Sequence, residues 1–276
     1  MYTNSAAIFR GDIAGVVEQA KDYEAGLIGT QAMPILDVPV RAGQYPSFVL
    51  KEGQLLKSDV KNRAAYSAYA RGTRAFNQDT YTALEYGYEE AVDDTVTLDV
   101  ARFFDAEVIA AKLAKRKLLL AHELRVAAKL FDSGTFTATN SGTAYTTGNL
   151  ATFDVGADVQ EAIDRLLAKG ESVTNLSVIV PYPVWTRIRA STKFQNRLRG
   201  AGISSDTILN ASTQAAAGFF GGGAGFTLNW SEYGPAIGVS TYREEAIKSN
   251  IVRASHFVAE KVVNANAGQL VTTQYS

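Results

Sequence analysis

Only a few residues of this sequence have the types and spacing that catalysis or metal binding would require. His122 and Glu123 begin like a helical zinc-binding box, but Val126 stands four residues on, where the box needs its second histidine. The only other histidine is His256, and the chain contains no cysteine. A histidine-rich or thiolate metal centre cannot be built within one such chain, so we expect His122 to be a partly exposed helix residue.

Other catalytic patterns fail as well. The glycines between 221 and 225 are similar to a phosphate-binding loop in composition alone, because no Gly-Lys-Ser or Gly-Lys-Thr follows and no strand immediately precedes them. No Gly-x-Ser-x-Gly elbow occurs, and the carboxylates show no isolated pair in an apolar setting. The missing cysteines exclude disulfide scaffolds, iron–sulfur clusters and cysteine nucleophiles. We expect a protein that is not an enzyme and holds no cofactor or metal, with a soluble α/β enzyme as the remaining alternative.

The distribution of charge is more informative than any motif. Between Arg41 and Arg74 there are seven basic and two acidic residues, a net charge of +5, and residues 75–107 carry nine acids and one base, a net charge of −8. Adjacent blocks of opposite sign in a near-neutral chain predict complementary surfaces. Either the basic block docks on the acidic block of the next copy, in a head-to-tail contact that closes into rings or shells, or the two blocks pair within one chain.

The candidate inter-subunit contact residues are therefore basic on one side and acidic on the other: Lys57, Lys61, Arg63, Arg71 and Arg74, and Glu89, Glu90, Asp93 and Asp94. A second basic patch contains no acid: Arg187, Arg189, Lys193, Arg197 and Arg199. Only two aromatic residues interleave with this second patch, which favours a solvated or subunit-facing surface over nucleic-acid recognition.

The first basic block, residues 41–74, overlaps a segment that has too few apolar side chains to form a core of its own. Residues 35–50 are predicted to be short extended pieces broken by prolines and Gly43. Residues 55–76 are polar, basic and tyrosine-bearing, and only four of their residues are strongly apolar: Leu55, Leu56, Val60 and Phe76. A long loop or ribbon of this kind is unusual inside a compact domain and is usually functional.

A long helix is the strongest secondary-structure prediction. Five apolar residues between positions 101 and 133 fall on one helical stripe: Ile109, Leu113, Leu120, Leu124 and Phe131. About 30 residues at about 1.5 Å each give a rod of roughly 45 Å. Just before it, three apolar residues alternate with polar ones, which predicts a half-buried strand: Val96, Leu98 and Val100.

The second half of the chain alternates between helices and strands. Residues 135–152 are rich in Ser, Thr, Asn and Gly and predict an exposed loop. A helix closed by Gly170, a buried strand at 176–180 and a short helix with Pro183 in its first turn follow. A further helix is predicted at 205–219, and the remaining strands are predicted at 226–230, 236–241, 251–263 and 270–273.

Length and composition agree with a folded protein. The chain has 276 residues, 46% of them hydrophobic and 20% charged, which suffices for one elaborate domain or two intertwined ones. No stretch reaches the roughly 18 consecutive apolar residues of a membrane span, and the N-terminus does not look like a secretory signal. We expect a soluble protein made in a cytoplasm.

The order of these parts resembles the major capsid proteins of tailed bacteriophages, which have the Hong Kong 97-type fold. The resemblance covers nearly the whole chain. It depends on a loose N-terminal arm, a long extended loop near residues 41–90, and a "spine" helix containing Leu118-Leu119-Leu120-Ala121-His122-Glu123-Leu124-Arg125. Residues 178–189 are similar to the strand and the Trp-bearing helix of the axial domain in that family.

The resemblance implies an α+β architecture with four parts. Residues 1–32 would form an N-terminal arm, and residues 33–90 an extended β-hairpin loop region, the E-loop. Residues 91–152 and 241–276 would form a peripheral domain with the spine helix. Residues 153–240 would form an axial domain whose glycine-rich loop points toward the centre of a pentamer or hexamer. The extended loop would lie over a neighbouring subunit.

The same resemblance implies a structural protein that self-assembles into the pentamers and hexamers of an icosahedral phage head enclosing double-stranded DNA. Its partners would be further copies of itself, a separate scaffolding protein, a portal and DNA bound by non-specific contact, with no membrane. It would be located in the virion capsid after assembly in the cytoplasm of a bacterial host. The alternative with the same fold is the shell protein of an encapsulin-type nanocompartment.

Overall fold

The residues that the structure describes are assembled into two units, each of which draws on three separate stretches of chain. A computed structural model describes residues 8–9, 27–47, 60–69, 77–100, 105–171, 176–200, 218–220, 224–234 and 236–273. Unit 1 comprises Met1–Tyr45, Asp79–Ala128 and Gly225–Lys261, and unit 2 comprises Pro46–Gln78, Lys129–Ala224 and Val262–Ser276. The division into peripheral and axial domains stays a prediction, and the two units group strand 225–230 with the long helix rather than with residues 153–224.

The described elements mix helices and strands throughout the chain. The helices are α1 (Gly29–Ala32), α2 (Asp94–Val100), α3 (Ala106–Leu130), α4 (Val155–Ala168), α5 (Tyr182–Ala190) and α6 (Thr192–Gly200). The strands are β1 (Ile8–Phe9), β2 (Ile35–Val38), β3 (Ala42–Ser47), β4 (Asn77–Thr82), β5 (Leu84–Asp93), β6 (Thr137–Asn140), β7 (Ser177–Val178), β8 (Gly218–Phe220), β9 (Gly225–Trp230), β10 (Gly238–Glu244), β11 (Ser249–Val262) and β12 (Gly268–Thr272). The α+β class expected from the sequence is confirmed.

The sheet of unit 1 is organised around β11, a strand of 14 residues. Its strand order is β1-β10-β11-β9-β2, and β5 also pairs with β11. β10 and β5 both run antiparallel to β11, with Ser249 paired to Glu244 on one side and to Asp93 on the other. β2 runs parallel to β9 at the edge. The β-branched residues predicted at 251–263 therefore form the central strand of the sheet, as such residues favour.

Helix α3 confirms the predicted long helix, although its apolar stripe does not face the core. It has 25 residues, or about 38 Å at about 1.5 Å per residue. The five stripe residues are between 39% and 65% exposed, whereas the buried apolar positions are Ala110, Ala111, Ala114, Leu118, Val126 and Leu130. The alanines pack with Val239, Val252 and Ala254 of β10 and β11. The face of α3 that packs on the sheet is the one with small side chains, because these let the helix backbone approach the sheet closely.

The predicted strand at 96–100 is wrong, because residues 94–100 form helix α2. The preceding strand β5 ends at Asp93. The Oδ1 atom of Asp93 accepts hydrogen bonds from the Thr95 backbone N–H at 2.8 Å and from the Thr95 hydroxyl at 2.5 Å. An Asp that satisfies the unpaired N–H groups of a first turn starts a helix. Val96 is 49% exposed, so the alternation does not mark a buried strand face.

Unit 2 contains a second sheet, with the order β6-β12-β8-β7. Helix α4 packs on it through Ala162 and Leu166, which contact Val271 of β12. The helix ends as predicted, since Gly170 adopts φ 87°, a left-handed conformation that favours glycine. Helix α5 begins after Pro181 and carries Pro183 in its first turn, as expected from the sequence.

Two predictions for unit 2 need correction. The expected exposed loop at 135–152 contains strand β6, which pairs in parallel with β12, and it buries Phe136 and Tyr145. The expected buried strand at 176–180 is only two residues long, and Val178 is 40% exposed. Long-range pairing explains the first difference, because β12 lies over a hundred residues away in sequence and the composition of 135–152 carries no sign of it.

The described part of the predicted ribbon, residues 60–69, is neither helix nor strand, and all ten residues are exposed. Most of the arm, the rest of the ribbon, residues 205–217 of the helix predicted at 205–219 and the glycines at 221–223 lie outside the described residues. Residues 218 and 219 of that predicted helix belong instead to β8. Within the described part of the chain, no helix is long and apolar enough to cross a membrane.

Candidate functional site

A group of polar side chains lies in the core of unit 1, where α3 packs on the sheet. We call it the histidine cluster: His122 and Arg125 of α3, Thr227 of β9, and His256 and Glu260 of β11. His122 and His256 are each 4% exposed, and their ring centroids are 6.1 Å apart. The expectation of a partly exposed His122 is therefore wrong, because the sequence does not reveal that this face of α3 meets β9 and β11.

Arg125 is the centre of the cluster's electrostatics. Its Nε donates to Glu260 Oε1 at 2.9 Å, and its Nη2 donates to His256 Nε2 at 3.2 Å. The guanidinium also lies over the ring of Tyr86, 3.7 Å from the centroid. The Glu260 side chain is only 7% exposed, so Arg125 supplies the positive charge that a buried carboxylate needs.

The hydrogen-bond partners assign the neutral tautomers of both histidines. Arginine can only donate, so His256 Nε2 must accept and its proton lies on Nδ1. Thr227 Oγ1 donates its proton to the Met33 carbonyl at 3.2 Å and therefore accepts from His122 Nε2 at 3.1 Å. His122 is accordingly protonated on Nε2.

Burial and the neighbouring charges both favour these neutral forms. Burial, followed by the positive charge of Arg125 and by His122, lowers the pKa of His256 to about 3. Burial also lowers the pKa of His122, and the nearby Glu260 carboxylate opposes this shift. An imidazole that stays neutral in the fold but takes a proton once unfolded makes the protein less stable in acid.

We therefore expect unit 1 to lose stability as the pH falls below the ordinary histidine pKa of about 6.5. With a folded pKa of about 3, His256 alone predicts a loss of about 2 kcal/mol between pH 7 and pH 5. Urea unfolding of dissociated subunits at the two pH values measures it. His256→Gln keeps an acceptor for Arg125 and cannot take the proton, so its loss should be smaller by about that amount. An equal loss in both proteins would show that His256 is not the group responsible.

The segment before β2 is fixed to α3 by a second carboxylate. Glu123 Oε1 accepts from the Ile28 N–H at 3.2 Å, and its Oε2 accepts from the Gly29 N–H at 2.6 Å. A Cβ at position 29 would lie 2.6 Å from the same Oε2, so any other residue there would force the carboxylate to shift. Glu123 therefore acts as a clamp that holds the end of the arm on the helix, and it takes no part in a metal box. Among the described residues no group of three or more potential ligands could hold a metal ion.

The structure pairs two of the four acidic candidates within unit 1. Glu89 Oε1 accepts from Arg253 Nε at 2.6 Å, and Asp94 Oδ2 accepts from Arg243 Nη2 at 2.7 Å. The hydrogen bonds from Thr95 and Arg243 hold the pKa values of Asp93 and Asp94 below their usual range. The Glu90 side chain makes no hydrogen bond or ion pair with any part of the chain that the structure describes, whereas its backbone pairs with Val252 in the ladder between β5 and β11.

Of the basic candidates, Lys61 and Arg63 are exposed, and Arg63 lies 4.9 Å from the ring centroid of Tyr69. Lys57, Arg71 and Arg74 lie outside the described residues. Two of the four acidic candidates, Glu89 and Asp94, thus pair with arginines on β11 and β10, and neither of the two arrangements predicted from the sequence includes these pairs. Whether the ribbon contacts another copy stays a prediction.

The second basic patch lies on α5 and α6, where part of its charge is neutralised. Arg197 Nη2 is 3.0 Å from Asp154 Oδ1, and Lys193 Nζ is 3.9 Å from Asp154 Oδ2. Asp154 also caps α4 by accepting from the Gly156 and Ala157 N–H groups. These two basic residues therefore fix the start of α4.

Sequence reasoning missed the residues that complete the histidine cluster. Thr227 and Glu260 belong to no motif, and Arg125 was noted only as part of the spine helix. One signal was available: Glu260 and His256 are polar residues within a stretch predicted to be a long β-branched strand, and a carboxylate in a buried strand needs a buried cation. The partner could not be named, because Arg125 is 135 residues away from Glu260.

No family model and no curated protein sequence matches the chain, but solved structures match it over most of its length. It is similar to a phage-related protein from Bordetella bronchiseptica RB50, with a TM-score of 0.65, 15% identity and 97% of each chain covered. It is similar to the capsid of a native GTA particle, with a TM-score of 0.58, 16% identity, and 99% of this chain and 94% of that chain covered. It is also similar to the capsid structure of the cyanophage P-SCSP1u, with a TM-score of 0.60, 12% identity, and 89% and 87% of the two chains covered. The chain therefore has the Hong Kong 97-type fold of phage major capsid proteins.

Proposed function

We propose that the protein is a structural major capsid protein, which assembles with copies of itself into the pentamers and hexamers of an icosahedral phage head around double-stranded DNA. The fold supports this function, since its solved neighbours include capsids. One observation carries the proposal beyond the fold: all ten described residues of the ribbon are exposed.

The exposed ribbon presents side chains that are normally buried. Val60 is 86% exposed, Tyr69 is 71% exposed, and Tyr66 is as exposed as it would be in an extended chain, at 105%. Soluble monomers rarely expose several large apolar groups together, and such patches mark interaction sites. The ribbon therefore suits a contact with another copy, in which these side chains become buried.

A shell repeats each contact many times, so no single contact has to be strong. An interface that is weak in an isolated pair becomes effective when every subunit is held at several edges at once. Exposed Lys61 and Arg63 next to the tyrosines give the ribbon a positive charge that suits an acidic surface of the neighbour.

The remaining parts of the proposal follow from this role. The protein has no catalytic task. A separate scaffolding protein guides assembly, a portal occupies one vertex, and the DNA inside is held by non-specific contacts. Residues 91–152 and 241–276, which include α3, form the peripheral domain, and the glycines near 221–225 of the axial domain at 153–240 lie toward the centre of each pentamer or hexamer. The protein resides in the virion capsid after assembly in the cytoplasm of a bacterial host.

Negative-stain electron microscopy of the purified full chain, with sedimentation and nucleic-acid assay of the particles, tests the function. Closed icosahedral particles, or capsomers that close when a scaffolding protein is supplied, support the proposal. Particles without DNA that contain a co-purifying enzyme would instead identify a nanocompartment shell. A protein that stays monomeric under all conditions, with the ribbon packed on its own body, would overturn the assignment.

Charge reversal in the ribbon is expected to weaken assembly. We expect Lys61→Glu combined with Arg63→Glu to lower the fraction of subunits in particles, most strongly at low salt, where surface charges are least screened. The Gln substitutions at the same positions provide the matched neutral control and should have a smaller effect. Sedimentation at several ionic strengths measures the difference. The same assembly at every salt concentration would leave the ribbon's charge without a role between subunits.

A further inference from the structure

Unit 1 contains a partly open cavity of about 230 Å³ beside the histidine cluster. Its walls are mostly apolar side chains, including Leu27, Ile35, Leu119, Ile237 and Val258. Both histidines line it as well. An apolar cavity of about 150 Å³ is known to accept benzene, so this one has room for a substituted benzene ring.

The tautomers leave one ring nitrogen for a ligand on each of the two histidines that line the cavity, an acceptor on His122 and a donor on His256. His122 uses its Nε2–H on Thr227, which leaves the lone pair of Nδ1 as an acceptor. His256 uses its Nε2 lone pair on Arg125, which leaves Nδ1–H as a donor. Neither Nδ1 atom has a partner in the described part of the chain. At a centroid separation of 6.1 Å, one small polar group can reach both rings.

From this we infer that the cavity is a binding site for a compact apolar molecule carrying one group that both donates and accepts a hydrogen bond, of which an aromatic hydroxyl is the smallest example. The hydroxyl donates to His122 Nδ1 and accepts from His256 Nδ1–H. The ring occupies the apolar part of the cavity. A carboxylate lacks the proton that His122 requires, and a plain hydrocarbon leaves both nitrogens unsatisfied.

The charged residues that line the cavity agree with a neutral ligand. The Glu123 carboxylate is occupied by the N–H groups of Ile28 and Gly29 and faces the cavity from α3 together with Lys115. One acid and one base leave the lining without net charge, so it selects neither an anion nor a cation. Recognition therefore depends on the two imidazoles and on shape.

A ligand bound in this cavity would strengthen the attachment of the end of the arm to α3. Leu27, Thr30 and Ile35 line the cavity, and so do Leu119, His122 and Glu123 of α3. A ligand that contacts both groups adds apolar contacts to the clamp that Glu123 makes with Ile28 and Gly29. The site is thus a place where a small molecule can hold residues 27–35 on the helix, whatever the assembly state of the chain.

Isothermal titration of the purified full chain with 4-ethylphenol and with ethylbenzene tests the inference directly. The two probes share size and shape and differ by one hydroxyl. We expect 4-ethylphenol to bind about fivefold or more tightly than ethylbenzene, as one satisfied hydrogen bond contributes. Equal affinities, or no binding of either probe, would overturn the inference.

Two glutamine variants identify the polar groups. His122→Gln keeps the N–H that Thr227 accepts, and His256→Gln keeps the oxygen that Arg125 needs, so each removes only the cavity-facing nitrogen. Each variant should bind 4-ethylphenol about fivefold more weakly than the original protein does, and its affinity for ethylbenzene should be unchanged. A parallel loss for both probes would place the binding elsewhere or show a general distortion.

A third variant tests the location by filling the space. Ala236 lines the cavity at a bend before β10. Because a leucine there would occupy part of the cavity, Ala236→Leu should weaken the binding of both probes. Its matched control is Ala64→Leu, a change of the same size at an exposed ribbon position outside the cavity. Unaltered binding by Ala236→Leu would exclude this cavity even where a glutamine variant fails to fold.

Discussion

Deletion of residues 53–76 is expected to abolish closed particles while leaving a folded subunit. The described residues of this segment, 60–69, are all exposed, so its removal takes little apolar contact from the subunit. The deletion stops before Asn77, where β4 begins. Circular dichroism and sedimentation should show a cooperatively folded protein at the size of single subunits or small oligomers, and electron microscopy should show no shells.

A variant of full length separates the side chains of the ribbon from its mere presence. Val60→Ser combined with Tyr66→Ser and Tyr69→Ser keeps the backbone and removes the large exposed groups. It should reduce assembly nearly as strongly as the deletion, if burial against a neighbour is their role. Closed particles of normal size from the deleted protein would contradict an interlocking ribbon.

Loss of Arg125 is expected to be the most damaging single substitution in unit 1. Arg125→Leu leaves the Glu260 carboxylate without its cation in a site where that side chain is only 7% exposed. Breaking a buried ion pair by removing one partner costs about 3–5 kcal/mol. Urea unfolding should register this loss in the free energy of unfolding. The contact of the guanidinium with the Tyr86 ring is lost as well, which adds to the cost.

Two comparisons distinguish this effect from a general loss of charge. Arg165→Leu breaks the Arg165–Glu161 pair of α4, whose side chains are 47% and 48% exposed, and should cost no more than about 0.5 kcal/mol. In the Arg125→Leu background, Glu260→Gln removes the uncompensated charge and should recover part of the stability. If Arg125→Leu and Arg165→Leu cost the same, the buried pair contributes nothing specific.

The long helix illustrates how far the sequence could predict the fold. The stripe from Ile109 to Leu124 gave the correct element within a few residues at each end. Periodicity indicates that apolar residues share a face, but it does not say which face meets the sheet. The packed face contains Ala110, Ala111 and Ala114, whose small size matters only once β10 and β11 lie against them.

Long-range partners account for the other differences. The composition alone predicts the strands β9, β11 and β12, because apolar β-branched and aromatic residues mark strands wherever their partners lie. β6 was missed since its Thr and Asn residues form a strand only through pairing with β12. The histidine cluster was missed for the same reason: His122 and His256 are 134 positions apart, and nothing local brings them together.

The clamp between Glu123 and the start of α1 also constrains how the sequence can change over time. A methyl group at position 29 would collide with a carboxylate oxygen that the same segment needs. The residues that are tolerated at position 29 therefore depend on the residue at position 123. A residue larger than glycine at 29 would displace the Glu123 carboxylate, so a shorter acid at position 123 is expected to widen the range of residues that position 29 tolerates.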